Sequence, residues 1–187
     1  MRPETGKSVA RILCIGLAVL SLVGCGTAHA QITGRASVID GDTLELQGQR
    51  IRLWGIDAPE GRQSCERRGA EYRCGQEAAN ALDRHISERP VVCTQEDVDR
   101  YGRVVARCSV GGSDLGAWMV SRGLAVRYPE YAGRAYIVEE GLARLARRGV
   151  WAGTFVVPWD WRRERRGGGA GQLPLIVRGT PGHLNEV

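Results

Sequence analysis

The 187-residue chain has one lysine, Lys7, so every other basic residue is an arginine. Arginine suits forked contacts to phosphate oxygens, although codon bias explains the same composition over the bulk surface. Histidine is scarce, with only His29, His85 and His183. No two cysteines are separated by two residues, and no histidine lies near a cysteine pair, which argues against a zinc site. The longest apolar run, Ile12 to Val23, is too short to span a bilayer. No internal repeat occurs. With 43% hydrophobic and 25% charged residues the chain is neither fully disordered nor a multi-span membrane protein. Its length suits one domain. The 26 basic and 21 acidic residues give a formal charge of +5, a mixed surface that permits an anionic partner without requiring one.

The first thirty residues read as a targeting segment. Arg2, Lys7 and Arg11 precede the apolar run, which has the proportions of a signal-peptide core. Two processing sites compete. Ala28-His29-Ala30 is a small-x-small cleavage site, whereas Leu22-Val23-Gly24-Cys25 resembles a bacterial lipobox in which Cys25 takes a lipid anchor. Either makes the protein exported, periplasmic or secreted, or held at a membrane as a lipoprotein. A buried helix over the same run would leave the basic flank and both motifs coincidental.

Outside that segment the cysteines are Cys65, Cys74, Cys93 and Cys108, an even number suited to two disulfides in an oxidising compartment. Four cysteines allow three connectivities. The hairpin described next favours Cys93 with Cys108 and leaves Cys65 with Cys74. The first closure is worth roughly 3 kcal/mol in the chain-entropy account.

From Gly34 to Ile56 apolar residues alternate at Ala36 and Val38, Leu44 and Leu46, Ile51 and Leu53, with turn signals at Asp40-Gly41 and Gly48-Gln49. The pattern predicts three antiparallel strands. Ala78, Leu82 and Ile86 predict an amphipathic helix over 76–88. Strands follow at Val91–Thr94 and Val104–Val110. A turn at Asp99-Arg100-Tyr101-Gly102 sets Val98 against Arg103 and Cys93 against Cys108. Ser113 or Asp114 caps a short helix with Leu115, Trp118 and Met119 inward. A third helix, about 134–148, buries Val138, Leu142 and Leu145 and ends at Gly149. Beyond Trp161 the run Arg162-Arg163-Glu164-Arg165-Arg166 enters Gly167-Gly168-Gly169, and residues 162–187 are expected to be a basic, mobile tail. The run could meet nucleic acid or an anionic membrane, though such runs are commonly solvated faces.

Asp40, Asp42, Asp57 and Glu60 gather at turn ends with Arg52 and Arg103. Each alone is an ordinary turn or strand-exit residue. Together they differ, because the meander returns Asp57 beside Asp42, and two carboxylates with a backbone carbonyl make a hard-cation site. It is not an EF-hand, since Leu44 and Ile51 stand where that loop needs an oxygen ligand and a glutamate.

Val38-Ile39-Asp40-Gly41-Asp42-Thr43, Arg52-Leu53-Trp54-Gly55-Ile56-Asp57-Ala58-Pro59-Glu60 and Asp99-Arg100-Tyr101-Gly102-Arg103 resemble, in order and internal spacing, the signature blocks of the thermonuclease, or staphylococcal-nuclease-like, family. The resemblance runs from about 34 to 152, through Gly123-Leu124-Ala125 to Arg148-Gly149-Val150-Trp151. It implies an α+β fold, an OB-fold five-stranded Greek-key barrel with about three α-helices over residues 31–161. It also implies a calcium-dependent phosphodiesterase acting on DNA and RNA and leaving 3′-phosphates, while a monomer and a preference for single strands are the default expectations. By the same resemblance Asp42, Asp57 and the Ala58 carbonyl are the Ca2+ ligands, Asp40 supports them, and Glu60 is the general base or water-orienting group. Arg52 and Arg103 bind the phosphate, and Tyr101 and Tyr128 are candidates to stack on bases. Two direct carboxylates predict weak calcium binding, ~0.1–1 mM. The chain departs from the family's pattern in its four cysteines and a shorter hairpin before Arg103. The alternative from another class is an OB-fold module that binds single-stranded nucleic acid without cutting it. Loss of Glu60 or either arginine would favour that reading, and all are present. A lipid-anchored envelope spacer would leave the site residues unexplained.

Overall fold

The computed structural model describes residues 30–167 and 175–178. Apart from Ala30, the targeting segment, with Cys25, lies outside the described residues. The first strands, β1 (Gln31–Gly34) and β2 (Ala36–Asp40), are one extended run interrupted at Arg35. Strand β2 pairs antiparallel with β3 (Thr43–Leu46), and β3 with β4 (Gln49–Leu53). Both turns fall one residue from the expected dipeptides. Gly41 and Asp42 join β2 to β3, because Asp40 faces Thr43. Gln47 and Gly48, at φ 53° and 75°, join β3 to β4 in the backbone geometry a twisted two-residue hairpin needs.

After β5 (Ile56–Asp57) come a small hairpin, β6 (Cys65–Arg67) with β7 (Ala70–Tyr72), and helix α1 (Cys74–Ile86). Strands β8 (Val91–Val98) and β9 (Val104–Val110) then complete the barrel. Strand β9 runs parallel to β4, β8 pairs with β9, and β1 pairs with β8. The hydrogen-bonded order β2-β3-β4-β9-β8-β1 therefore returns to the chain run where it began, so the five-stranded barrel counts β1 and β2 as one bent strand. A short β10 (Ser113–Asp114) adds to β9.

Cys93 does face Cys108, and both predicted disulfides, Cys93–Cys108 and Cys65–Cys74, are present. The register of the turn differs. Val98 faces Val104 rather than Arg103, and a bulge between Gln95 and Asp97 absorbs the one-residue shift before the cysteines. An extra residue on one strand restores the pairing beyond it.

Helix α2 (Leu115–Ser121) starts at Asp114, whose side chain accepts from the Ala117 amide, as expected of a cap. Leu115 and Met119 are buried, while Trp118 is half-buried and stacks on His85. Then come β11 (Val126–Arg127), which pairs with β5, the single turn α3 (Pro129–Ala132) and α4 (Ile137–Leu145). The expected inner face of the third helix is its outer face. Val138, Leu142 and Leu145 are 68%, 53% and 83% exposed, whereas Glu140 and Ala143 are buried. Glu140 goes inward because Arg127 and Arg144 pair with it and its carboxylate accepts from the Arg127 amide. Apolar spacing located the helix, but paired charge set its rotation.

The chain closes with a 3-10 turn (Gly149–Ala152), β12 (Gly153–Val156), α5 (Pro158–Arg165) and β13 (Ile176–Arg178). Strand β12 lies between β6 and β13. Of the tail expected over 162–187, the residues up to Arg165 belong instead to α5, and Ile176–Arg178 form a strand. Residues 168–174 and 179–187 lie outside the described residues. Two clusters fill the interior. The barrel residues pack on Ala78, Leu82 and Ile86 of α1 and on Leu115 and Met119, while Cys65, Cys74, Trp151, Phe155 and Val157 form a second core beneath the C-terminal layer. No helix among the described residues is long and apolar enough to cross a membrane.

Candidate active site

Asp42 sits in the two-residue loop between β2 and β3. Its Oδ1 accepts from the Thr43 hydroxyl at 3.0 Å and its Oδ2 from the Ala58 amide at 3.3 Å. Asp57 ends β5, fully buried. Arg52, on β4, joins them: its Nη2 lies 3.1 Å from Asp42 Oδ2 and 2.5 Å from Asp57 Oδ1. The meander therefore brings the two aspartates together, with a guanidinium nitrogen between them. Asp40 supports the loop by accepting from the Asp42 amide at 3.1 Å. Close packing holds this turn in place. A Cβ on Gly41 would fall 2.6 Å from the Ala58 Cβ and 2.9 Å from that of Ala78.

Glu60 follows Ala58-Pro59 and is placed by Gln63, whose side chain is completely buried. Gln63 accepts from the Glu60 amide at 3.2 Å and donates to the Val156 carbonyl at 2.7 Å. The Glu60 loop is thus tied to β12, and the Cys65–Cys74 disulfide closes it on the start of α1.

A second guanidinium enters from α5. Arg162 Nη1 donates to Asp57 Oδ1 at 2.9 Å and to Glu60 Oε1 at 2.7 Å, and its Nη2 donates to Asp57 Oδ2 at 2.8 Å. Arg162, Gln63 and Trp159 were not among the residues expected at the site. A signal existed for the first: Pro158 followed by Asp160 is a helix start, which makes the basic run helical rather than loose.

Arg103 is held in the β8–β9 turn, where its Nε donates to Asp99 at 2.7 Å. Its partners are Asp99 and the Tyr101 ring, so the structure holds Arg103 at the turn just ahead of β9 and does not bring it onto the Asp42–Asp57 pair. Tyr101 is 61% exposed at the tip of that turn, and Arg100 and Arg166 lower its phenol. Tyr128 lies at the other end of α5, its ring stacked on Trp159 at 5.1 Å. Ala58 meets Asp42 through its amide, so the contact seen is not through the carbonyl expected of a ligand.

Burial and the Asp42 charge push the Asp57 carboxyl up to about 6, against the pull of Arg162 and Arg52. Burial and the same Asp42 charge push Asp40 up to about 7. Burial also acts to raise Asp42, but Arg52 and hydrogen bonds from Asp40, Ala58 and Thr43 hold it below the ordinary carboxylate value. Asp42 Oδ2 and Asp57 Oδ1 both reach the same nitrogen, Arg52 Nη2, so the two carboxylates lie close together. A hard cation fits such a pair. Among the described residues no three histidine, cysteine, aspartate or glutamate side chains cluster to hold a metal, so the donor set is small.

The family described as Staphylococcal nuclease homologue matches residues 50–153, a span holding Arg52, Asp57, Glu60 and Arg103, with Asp42 just ahead of it. The succinoglycan biosynthesis protein ExoI of Rhizobium meliloti (strain 1021) is 40% identical over 149 residues, 78% of each chain. A protein of Escherichia coli described as an uncharacterized endonuclease is 30% identical over 148 residues, 75% of this chain and 89% of its own. The probable staphylococcal-like nuclease CAN1 of Oryza sativa subsp. japonica is 33% identical over 132 residues, 70% of this chain and 37% of its own. The chain belongs to the family of staphylococcal nuclease homologues, hydrolases that act on nucleic acids.

Proposed function

We propose that the protein is an exported, calcium-dependent nuclease that hydrolyses phosphodiester bonds of DNA and RNA, single strands preferred, and leaves 3′-phosphates. The observation that carries this reading is the convergence of Asp42, Asp57 and Glu60 on two guanidinium groups. Two buried carboxylates beside arginine side chains suit a site for an anionic phosphate that gains charge as it becomes five-coordinate.

Asp42 and Asp57 would hold Ca2+, with Asp40 outside them. When bound, the ion supplies Lewis-acid polarisation of a phosphate oxygen. Arg52 and Arg103 each present a planar fork to the remaining phosphate oxygens. Glu60, its backbone fixed by Gln63, takes a proton from the attacking water at its carboxylate, a role worth ~10²–10⁴-fold in rate. That water's oxygen bonds to phosphorus as the P–O5′ bond breaks, and the 5′ oxygen takes a proton from solvent and leaves as a hydroxyl. Tyr101, exposed at the turn, offers a ring to a base next to the cut.

The test incubates the oxidised protein with single-stranded DNA, duplex DNA and RNA in millimolar calcium or in EDTA, beside Glu60→Gln. Cleavage that needs calcium and falls about a hundredfold or more in the variant is expected. Binding of single strands without cleavage would instead establish a non-catalytic OB-fold module.

A further inference from the structure

Asp57 and Glu60 lie close in sequence, but what joins them is Arg162, about a hundred residues later. Arg162 meets both oxygens of Asp57 and one of Glu60, and only 20% of its side chain is exposed. Arg52 takes a further position on Asp57 Oδ1, so the carboxylate accepts three charge-assisted bonds. A carboxylate has about four lone-pair sites, and a cation reaching Asp57 has little room unless a guanidinium leaves.

The two arginines are not held alike. Arg52 is in the middle of a barrel strand paired on both sides, by β3 and by β9. Arg162 rides on a two-turn helix at the periphery. That helix is anchored by Asp160, which accepts from the Leu175 amide at 2.8 Å, by the Trp159–Tyr128 stack, and by β12 just ahead of it. Along its length α5 meets Tyr128 through Trp159 and the carboxylates through Arg162, and Arg166 just past its end approaches Tyr101. Side chains of this one segment thus reach both aromatics and the carboxylates.

We infer that Arg162 is the resident counter-cation of the site, which a divalent cation must displace from Asp57, α5 being the element that gives way. Arg162 is then a positioning residue: it holds Asp57 and Glu60 in register before the ion arrives and weakens the apparent affinity for that ion. The inference rests on the nuclease reading of the same carboxylates.

The experiment titrates the oxidised full chain with calcium chloride alone by calorimetry, comparing wild type with Arg162→Gln, Arg162→Lys and Arg165→Gln. Arg165 is on the same helix and stacks on Trp161, so its loss removes the same charge away from the carboxylates. Expected is a dissociation constant about tenfold lower in Arg162→Gln, a smaller gain in Arg162→Lys, whose single ammonium lacks the fork, and none in Arg165→Gln. Calcium should also speed hydrogen exchange of the α5 amides in the wild type. Equal or weaker binding in Arg162→Gln, the same gain in Arg165→Gln, or no binding in any form overturns the inference. If Arg162→Gln fails to fold by circular dichroism, Arg162→Lys and the exchange experiment decide. Cleavage of single-stranded DNA by the wild type is scored separately. Calcium-dependent cutting with no difference among variants keeps the nuclease reading and removes this one. No cutting with the difference intact does the reverse.

Discussion

A Cβ on Gly75 would fall 1.8 Å from the carbonyl oxygen of Glu60. The first turn of α1 and the backbone carrying the candidate base are thus in direct contact, and only a residue without a side chain permits it. Gly75→Ala must push the Glu60 loop away from the site. The cost expected is ~1–3 kcal/mol, read as a lower melting temperature, with cleavage falling at least about tenfold. Unchanged cleavage at a lowered melting temperature would show that the placement of Glu60 tolerates this movement.

Gln63 uses its side-chain amide at both ends, toward Glu60 and toward Val156. Gln63→Leu keeps the volume but leaves the half-buried Glu60 N–H and Val156 C=O without this partner, each worth up to ~1–3 kcal/mol. Urea denaturation should show a lower midpoint, and kcat should fall more than KM rises. A stability equal to wild type would mean that neither bond matters.

The two disulfides should act differently. Cys93–Cys108 crosses paired barrel strands, whereas Cys65–Cys74 closes the segment that places Glu60. Replacing either pair by alanine removes a closure worth roughly 3 kcal/mol. Only Cys65→Ala with Cys74→Ala is expected to lower cleavage more than stability alone accounts for. Equal losses measured well below both melting temperatures would contradict this.

Asp99 accepts from Arg103 and from the backbone amides of Tyr101 and Arg103. Burial acts to raise its carboxyl, but these partners hold it below the ordinary value. A depressed carboxylate contributes stability above its unfolded value, about 3.9, and that contribution is lost as pH falls through the folded value. The melting difference between wild type and Asp99→Asn should therefore be largest near neutral pH and shrink below about pH 4. A difference that widens on acidification would refute the assignment.

Val138, Leu142 and Leu145 face outward, so replacing all three with serine should move stability by no more than about 0.5 kcal/mol each. Ala143→Asp, on the buried face of the same helix, should unfold α4. Thermal denaturation of the two variants side by side distinguishes the outward face from the inward one that spacing alone predicts.

The barrel strands, α1 and both disulfide partners were legible in the chain because each rests on local spacing. Alternation of Leu44, Leu46, Ile51 and Leu53 needs only a pleated strand with one buried face, and Ala78, Leu82 and Ile86 need only a helical turn. Asp42, Arg52 and Asp57 were legible too, since short turns bring consecutive strands back side by side. The rotation of α4 was not, because three apolar residues at helical spacing do not reveal that Glu140 finds Arg127 and Arg144 inside. Nor was Arg162. Its partners Asp57 and Glu60 are about a hundred residues away, and no local pattern encodes a contact of that separation. Sequence alone determined which residue types stand at the strand ends. The packing of β12 and α5 against the Glu60 loop decided that a second arginine, Arg162, joins Arg52 there.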